Sequence, residues 1–258
     1  MKTAFITGAT SGIGLAFAKL LAKQGYSLIL HGRNQSKLDE LEKSLPNVAR
    51  TITADLADNQ QLDHLFTELK SYQKTIDVAI NNAGFGLYGR QLELSIDEVE
   101  GMLAVNISAL TRLSHYFVST MTEVGSGHIL NVASTAAYQP QPYFAAYAAS
   151  KAYVASFTEA LAVETKNSGV KLTCLSPGRT NTGFFTFDGV DTSKDSSGTF
   201  DLKHRADPDK IAQLGLKAMF KGQLREIPTL ENKVYVFLNR LLPRSVILGM
   251  YEKAMINI

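Results

Sequence analysis

The chain has 258 residues, of which 45% are hydrophobic and 19% charged, enough apolar surface for a large core and too little charge for extended disorder. Lys and Arg number 26 against 24 Asp and Glu, a net charge of +2, and no basic block of the kind that tracks a phosphate backbone is present, which argues against nucleic acid as a partner. One cysteine, Cys174, rules out an intrachain disulfide, and five scattered histidines at no ligand spacing argue against a metal site.

Only Met1 and Lys2 precede the first apolar segment, so no signal peptide is expected and a cytoplasmic protein is. Short apolar runs at Thr3–Thr7, Ser27–His31, Val48–Thr53, Ile76–Asn81, His128–Ala133, Val170–Leu175 and Leu224–Ile227 read as strands. Helical spacing fills residues 13–24, 35–44, 59–72, 96–121, 143–167 and 208–220, with Leu38, Leu41 and Leu45 forming a clear i, i+3, i+7 stripe. The alternation is that of repeated βαβ units, an α/β fold with a parallel sheet, and one domain over 1–258 is expected because such folds reach about 250 residues as a unit. Residues 180–206 form a long Gly-, Ser- and Asp-rich connection, the length of a substrate loop or lid. The tail 232–258 is apolar, but Arg240, Pro243 and Arg244 interrupt it, so no membrane span of about 18 residues exists.

The first strand runs into Thr7-Gly8-Ala9-Thr10-Ser11-Gly12-Ile13-Gly14 and then a helix start at Leu15. In such a unit the glycines let backbone approach a pyrophosphate, and the helix N-terminus faces the phosphate with open N–H groups, which predicts dinucleotide binding. The spacing is Gly-x-x-x-Gly-x-Gly; taken alone, it also suits a tight turn that merely holds helix to sheet.

Further along follow, in order, Asp55-Leu56, Asn81-Asn82-Ala83-Gly84, Asn106, Ser134, Tyr147-x-x-x-Lys151 and Pro177-Gly178. Together with the glycine turn the set resembles the short-chain dehydrogenase/reductase family, in its compact single-domain branch, over about residues 3–182. The resemblance agrees with the alternation above. The fold expected is a Rossmann-type doubly wound sheet of about seven strands, order 3-2-1-4-5-6-7, with the active site at the carboxyl ends of the strands.

Tyr147 and Lys151 are four apart in a helical segment and so share a face. An ammonium held close, with the positive ring of an oxidised nicotinamide, is expected to favour the phenolate and bring proton transfer toward neutral pH. The resemblance implies that Tyr147 is general acid in reduction and general base in oxidation, and that Lys151 also holds the nicotinamide ribose. It further implies that Ser134 bonds the reacting carbonyl and that Asn106 holds a water joining Lys151 to solvent. Read alone, Ser134 also suits a turn cap, and Asn106 a buried amide bonded to nearby backbone.

The cofactor residues carried over in the same way are Gly8, Thr10, Ser11, Gly12, Ile13 and Gly14 in the turn, Asp55 and Leu56 at the adenine, and Asn82, Ala83 and Gly84 at the adenosine ribose. Pro177, Gly178, Thr180 and Thr182 match the nicotinamide loop, although Thr180 stands where an aliphatic residue is more usual. The substrate walls expected are Phe85, Leu87, Tyr88, Tyr138, Gln139 and Tyr143, with Phe184, Phe185 and Phe187 in the loop, where simple core packing is the alternative. Such walls suit an apolar or moderately polar carbonyl or alcohol.

An enzyme that uses NAD carries an acid at the end of the second strand to accept the ribose 2′-hydroxyl. Here that place reads Leu30-His31-Gly32-Arg33-Asn34, and the next acid is Asp39. A 2′-phosphate suits a guanidinium, so NADP(H) is the expected cofactor, with Arg33 its main partner and Ser11, His31 and Asn34 as supporting donors. Alanines along 145–155, in a helix through which family members pair, suggest a homodimer or homotetramer. The tail would join that interface, pack, or lie on a membrane surface.

Overall fold

The computed structural model describes residues 1–183 and 205–255. Seven parallel strands run β1 (Thr3–Ile6), β2 (Ser27–Gly32), β3 (Val48–Thr53), β4 (Val78–Asn81), β5 (Gly127–Val132), β6 (Val170–Leu175) and the two-residue β7 (Arg225–Glu226). Their spatial order is β3-β2-β1-β4-β5-β6-β7, the order expected. The crossover helices are α1 (Gly12–Lys23), α2 (Gln35–Ser44), α3 (Asn59–Ser71), α4 (Ile96–Leu103), α5 (Leu110–Val124), α6 (Ala145–Glu164) and α7 (Pro208–Phe220). The tail forms α8 (Leu230–Leu241) and α9 (Arg244–Met255).

Both faces of the sheet are covered, and the strand sequences show why. Ala4, Ile6, Leu28, Leu30, Val78 and Ile80 pack with Phe17 and Leu21 of α1 and Ile211 and Leu216 of α7. The alternate residues Phe5, Ile29 and Ala79 face Leu65 of α3 and Leu113 and Phe117 of α5. A strand buried on both sides needs apolar residues at every position, which is why these runs read as continuous and not as alternating. Each large side chain so buried contributes about 1.5–3 kcal/mol.

Three local features set the site. Asn34, Asp58 and Asp207 cap α2, α3 and α7 by accepting backbone N–H groups. The segment 96–121, expected as one helix, is interrupted by a π-helical turn over Ala104–Ala109 between α4 and α5. That turn carries Asn106, wholly buried, and one wide turn of this kind inside a helix commonly marks a functional position. Finally, β1 pairs with both β2 and β4, so the crossovers diverge there and leave a crevice at the strands' carboxyl ends. Among the described residues no helix is long and apolar enough to cross a membrane.

Candidate active site

A cleft of about 1270 Å³ opens at this crevice, larger than the roughly 300–1,000 Å³ of an ordinary small-molecule site and so roomy enough for a dinucleotide plus a small substrate. At its β1 end the chain turns through Gly8 at φ 65 and Gly12 at φ 53, left-handed values that side chains disfavour. The first hydrogen bond of α1 is Leu15 N–H to Ser11 O at 3.1 Å, and the Ser11 side chain makes no cap. The N–H groups of Gly12, Ile13 and Gly14 therefore enter the turn without intrahelical acceptors. Thr10, Ser11, Gly12 and Ile13 line the cleft with Gly8. Gly14 does not: a Cβ there would lie 2.1 Å from Gly8 O, so its place is the close packing of helix on turn.

The turn is tied down from both sides. Thr7 Oγ1 accepts from the N–H groups of Asn82 and Ala83 at 2.9 and 3.0 Å, and Asn82 Nδ2 donates to Thr7 O at 3.0 Å. On the β2 side His31 is 2% exposed; Gly8 N–H donates to its Nδ1 at 3.5 Å, and its Nε2 lies 3.0 Å from Ala54 O. Burial pushes His31 down to about 4, so the ring is neutral at physiological pH, with its one N–H directed to Ala54 and its other nitrogen accepting. This corrects the expectation of His31 as a phosphate donor: it supports the turn instead.

Arg33 and Asn34 both line the cleft beside β2. The Asn34 Oδ1 is engaged as the α2 cap, accepting from Lys37 N–H at 3.0 Å. Arg33 Nη1 lies 3.9 Å from Asp55 Oδ2, with both side chains well exposed, a pair too solvated to hold the guanidinium in place. Asp55 Oδ1 accepts from Ala57 N–H at 2.9 Å, and Leu56, Ala83 and Gly84 continue the wall. Lys37, in the first turn of α2 and absent from the sequence reading, also lines it; a second basic side chain close after Arg33 was the available signal.

At the floor stand Ser134, Tyr147 and Lys151. Ser134 begins a short 3₁₀ turn after β5, its Oγ accepting from Ala136 N–H at 3.1 Å, and it also hydrogen-bonds the Tyr147 phenol. Tyr147 is 9% exposed and Lys151 4%. Burial pushes the phenol up to about 12, and the Ser134 bond offsets this only in part. The expected lowering by Lys151 is not seen: its Nζ donates to Val132 O at 3.0 Å, 5.9 Å from the ring centre, and burial pushes the amine itself down to about 8. Burial thus disfavours the charged form of each group, yet an amine at about 8 stays largely protonated at neutral pH.

Asn106 lies behind this floor. Its Nδ2 donates to Phe85 O at 2.9 Å and Ser150 Oγ at 3.0 Å, while Oδ1 accepts from Phe85 N–H at 3.2 Å. A Cβ on Gly84 would sit 2.8 Å from Asn106 Oδ1 and 3.2 Å from Lys151 Nζ, so Gly84 is threaded between the two.

The remaining loop residues Pro177, Gly178, Thr180 and Thr182 line the cleft, Thr180 donating to Gly178 O at 3.0 Å. Of the expected substrate walls, Phe85, Leu87 and Gln139 line it. Tyr88 and Tyr143 do not, because they stack on each other at 5.8 Å, with Tyr88 also against Phe144. Tyr138 turns away to hydrogen-bond Ser176 at 3.1 Å. Phe184, Phe185 and Phe187 lie outside the described residues. The wall the sequence reading missed is the tail: Asn232, Tyr235 and Asn239 of α8 and Ile247, Met250 and Tyr251 of α9 line the cleft. Asn239 Nδ2 donates to Gln139 Oε1 at 3.0 Å, and a Cβ on Gly178 would strike Asn232 Nδ2 at 2.4 Å, so α8 is packed onto the loop. The signal was present, since Asn232, Tyr235 and Asn239 fall at i, i+3, i+7.

Comparison with known proteins agrees with this geometry. The short chain dehydrogenase family matches residues 2–189. An uncharacterized oxidoreductase of Staphylococcus epidermidis is 34% identical over 181 residues, 70% of this chain and 79% of that one. Among solved structures, a short-chain dehydrogenase from Sphingobium yanoikuyae in complex with NADPH has a TM-score of 0.82 at 26% identity, covering 96% of this chain and 95% of that one. A 3-ketoacyl-(acyl-carrier-protein) reductase from Brucella melitensis complexed with NADH has a TM-score of 0.77 at 26% identity, covering 88% and 96%.

Proposed function

The chain belongs to the short-chain dehydrogenase family, and on that premise we propose that it is an NADP(H)-dependent oxidoreductase interconverting an alcohol and a ketone or aldehyde of small, mainly apolar character. The observation that carries the reading is the floor of the cleft: a buried Tyr147 phenol bonded to Ser134, with Lys151 one helical turn away, below a glycine turn with open N–H groups. A nicotinamide cofactor bound there would supply the hydride in reduction and take it up in oxidation. The residues present fit such a group, since α1 offers N–H donors and positive dipole to a pyrophosphate and the β2 end offers Arg33 and Lys37 to a 2′-phosphate, with no carboxylate on β2 to repel it.

Tyr147 then acts as the proton donor to the carbonyl oxygen. A phenol pushed up to about 12 stays protonated at neutral pH, which is the form reduction requires. Ser134 shares the same oxygen through its hydroxyl, and Lys151 supplies the positive charge that the phenolate left behind would meet. Asn106 fixes the Phe85 backbone and, with Lys151, brackets Gly84. Pairing of two copies is proposed along the outward stripe of α6, where Ala145, Ala149, Ser156 and Ala160 are exposed on either side of Tyr153; analytical sedimentation giving a monomer at micromolar concentration contradicts it.

The test of the reaction is consumption of NADPH, followed at the nicotinamide absorbance, with a panel of aliphatic, aromatic and bulkier carbonyls. Turnover of apolar carbonyls at the expense of NADPH is expected. Tight NADPH binding with no turnover across the panel would favour a cofactor-binding sensor instead.

A further inference from the structure

Nine of the sixteen large apolar side chains exposed among the described residues fall between Leu230 and Met250, so they form a surface and not the ordinary scatter of single exposed residues. On α8, at 100° per residue, Phe237, Leu230, Leu241, Val234 and Leu238 occupy an arc of about 100°. All five are exposed, Phe237 by 59% and Leu241 by 64%. The opposite arc holds Asn232, Tyr235, Val236 and Asn239, of which three line the cleft and Val236 is buried. The helix therefore turns its polar stripe inward and its apolar stripe outward, the reverse of a helix packed on a core. Along one edge of the outward stripe lie Lys233 and Arg240, and α9 begins with Arg244. Lys233 pairs with Glu226 at 3.5 Å, whereas Arg240 and Arg244 make no ion pair among the described residues. Val246 and Met250 extend the apolar surface along α9, whereas Leu248 lies on its other side beside Pro142 and Tyr143.

We infer that α8 and α9 bind the surface of a bilayer containing anionic phospholipid, with the apolar stripe seated at the acyl boundary and Arg240 and Arg244 at the headgroup phosphates. An apolar face edged with basic residues is the arrangement by which a short helix lies in a membrane interface, and long basic side chains keep their stems apolar while their heads reach the phosphates. The stripe has Arg240 on one edge, with Arg244 following, and the exposed Glu231 on the other. The two arginines match headgroup phosphates, and antiparallel twofold pairing through this face would set the cationic edges of two copies side by side, which favours a bilayer over a second copy. Met250, 61% exposed, belongs to both the apolar surface and the cleft wall. Docking thus sets the lipid beside the α9 wall of the cleft, on the outer side of α8, where an apolar carbonyl would be concentrated. That last step rests on the proposed reaction; vesicle binding does not.

The experiment is co-sedimentation of the full chain with phosphatidylcholine vesicles, with and without phosphatidylglycerol, at two salt concentrations. Binding is expected to the anionic vesicles and to weaken with salt. Arg240→Gln and Arg244→Gln should each lower partitioning about fivefold. Phe237→Asp and Leu241→Asp should lower it at least tenfold, on the order of burying a charge at the interface, with melting temperature and NADPH affinity unchanged. Failure of the native protein to bind anionic vesicles overturns the inference, as does binding that survives both Asp variants. A change of oligomeric state in Phe237→Asp without vesicle binding assigns the face to a second copy.

Discussion

The two ends of the cleft are built by different means. At the β1 end the wall is largely backbone: the turn from Gly8 to Gly14 is held by Thr7, Asn82 and His31, none of which needs to touch a ligand to do so. At the other end the wall is side chains from α8 and α9, helices that add no strand to the sheet and whose buried members among the described residues are only Val236 and Ile247. Between them lies the floor of Ser134, Tyr147 and Lys151, carried by β5 and α6. A backbone wall admits few substitutions, as the 2.1 Å approach of a Cβ at Gly14 to Gly8 O illustrates. A helix laid over the cleft can exchange Asn239 or Tyr235 without disturbing the sheet. The first arrangement suits a ligand common to a family, and the second a substrate peculiar to one member.

Substitutions at the floor and the two walls should separate in size and in kind. The largest effect is expected at the floor. Tyr147→Phe should lower kcat about 10²- to 10⁴-fold, the usual worth of general acid catalysis, while NADPH affinity measured by fluorescence titration stays within about twofold. A parallel loss of cofactor binding would mean that Tyr147 acts through the fold of the cleft and not through its proton.

Next comes the support of the glycine turn. His31 is held at about 4 in the folded chain against 6.5 for a free histidine, so between these values the unfolded chain takes up a proton that the folded chain refuses. Stability is then lost as pH falls from 6.5 toward 4, by about 3 kcal/mol in the full interval. Urea denaturation across that range should show this acid limb, and His31→Gln should flatten it; an unchanged slope would mean that His31 is protonated in the native state. At the β2 end Arg33→Ala should weaken NADPH about 10- to 100-fold, the worth of a charge-assisted hydrogen bond, and leave NADH nearly unaffected. Equal affinity of the native protein for both cofactors would contradict the assignment of Arg33. The smallest effect is expected at the helical wall, where Asn239→Leu removes the bond to Gln139 at a half-buried place. A several-fold change in KM for the carbonyl, with kcat and NADPH affinity preserved, is the signature of a substrate wall.

The same division governs what the sequence reveals. The strands, the glycine turn and the catalytic pair were legible because they follow from local pattern: apolar runs of strand length, glycines at fixed offsets, and a Tyr and Lys four apart on one helix. The order of the strands came with the family resemblance. The tail was not assigned to the cleft, because which side of an amphipathic helix faces inward depends on what it packs against. In α8 the apolar stripe faces out, so the usual inference from hydrophobic spacing points to the wrong side. Tyr88, Tyr138 and Tyr143 failed as substrate walls for a related reason: aromatic side chains near a site find each other or a buried hydroxyl as readily as they face the cleft. The desolvation of the phenol was not legible, because spacing gives the separation of Tyr147 and Lys151 along a helix but not their burial, nor the turn of Nζ toward Val132 O.

The central claim, that the cleft carries out hydride transfer to a carbonyl with proton donation from Tyr147, is tested most directly by following the hydrogen itself. With NADPH deuterated at the transferable position of its nicotinamide ring and an apolar ketone from the panel, the product alcohol should carry deuterium at the carbinol carbon, and Tyr147→Phe should form that product at least about a hundredfold more slowly. An alcohol formed without the label, or formed equally fast by the variant, would contradict the account.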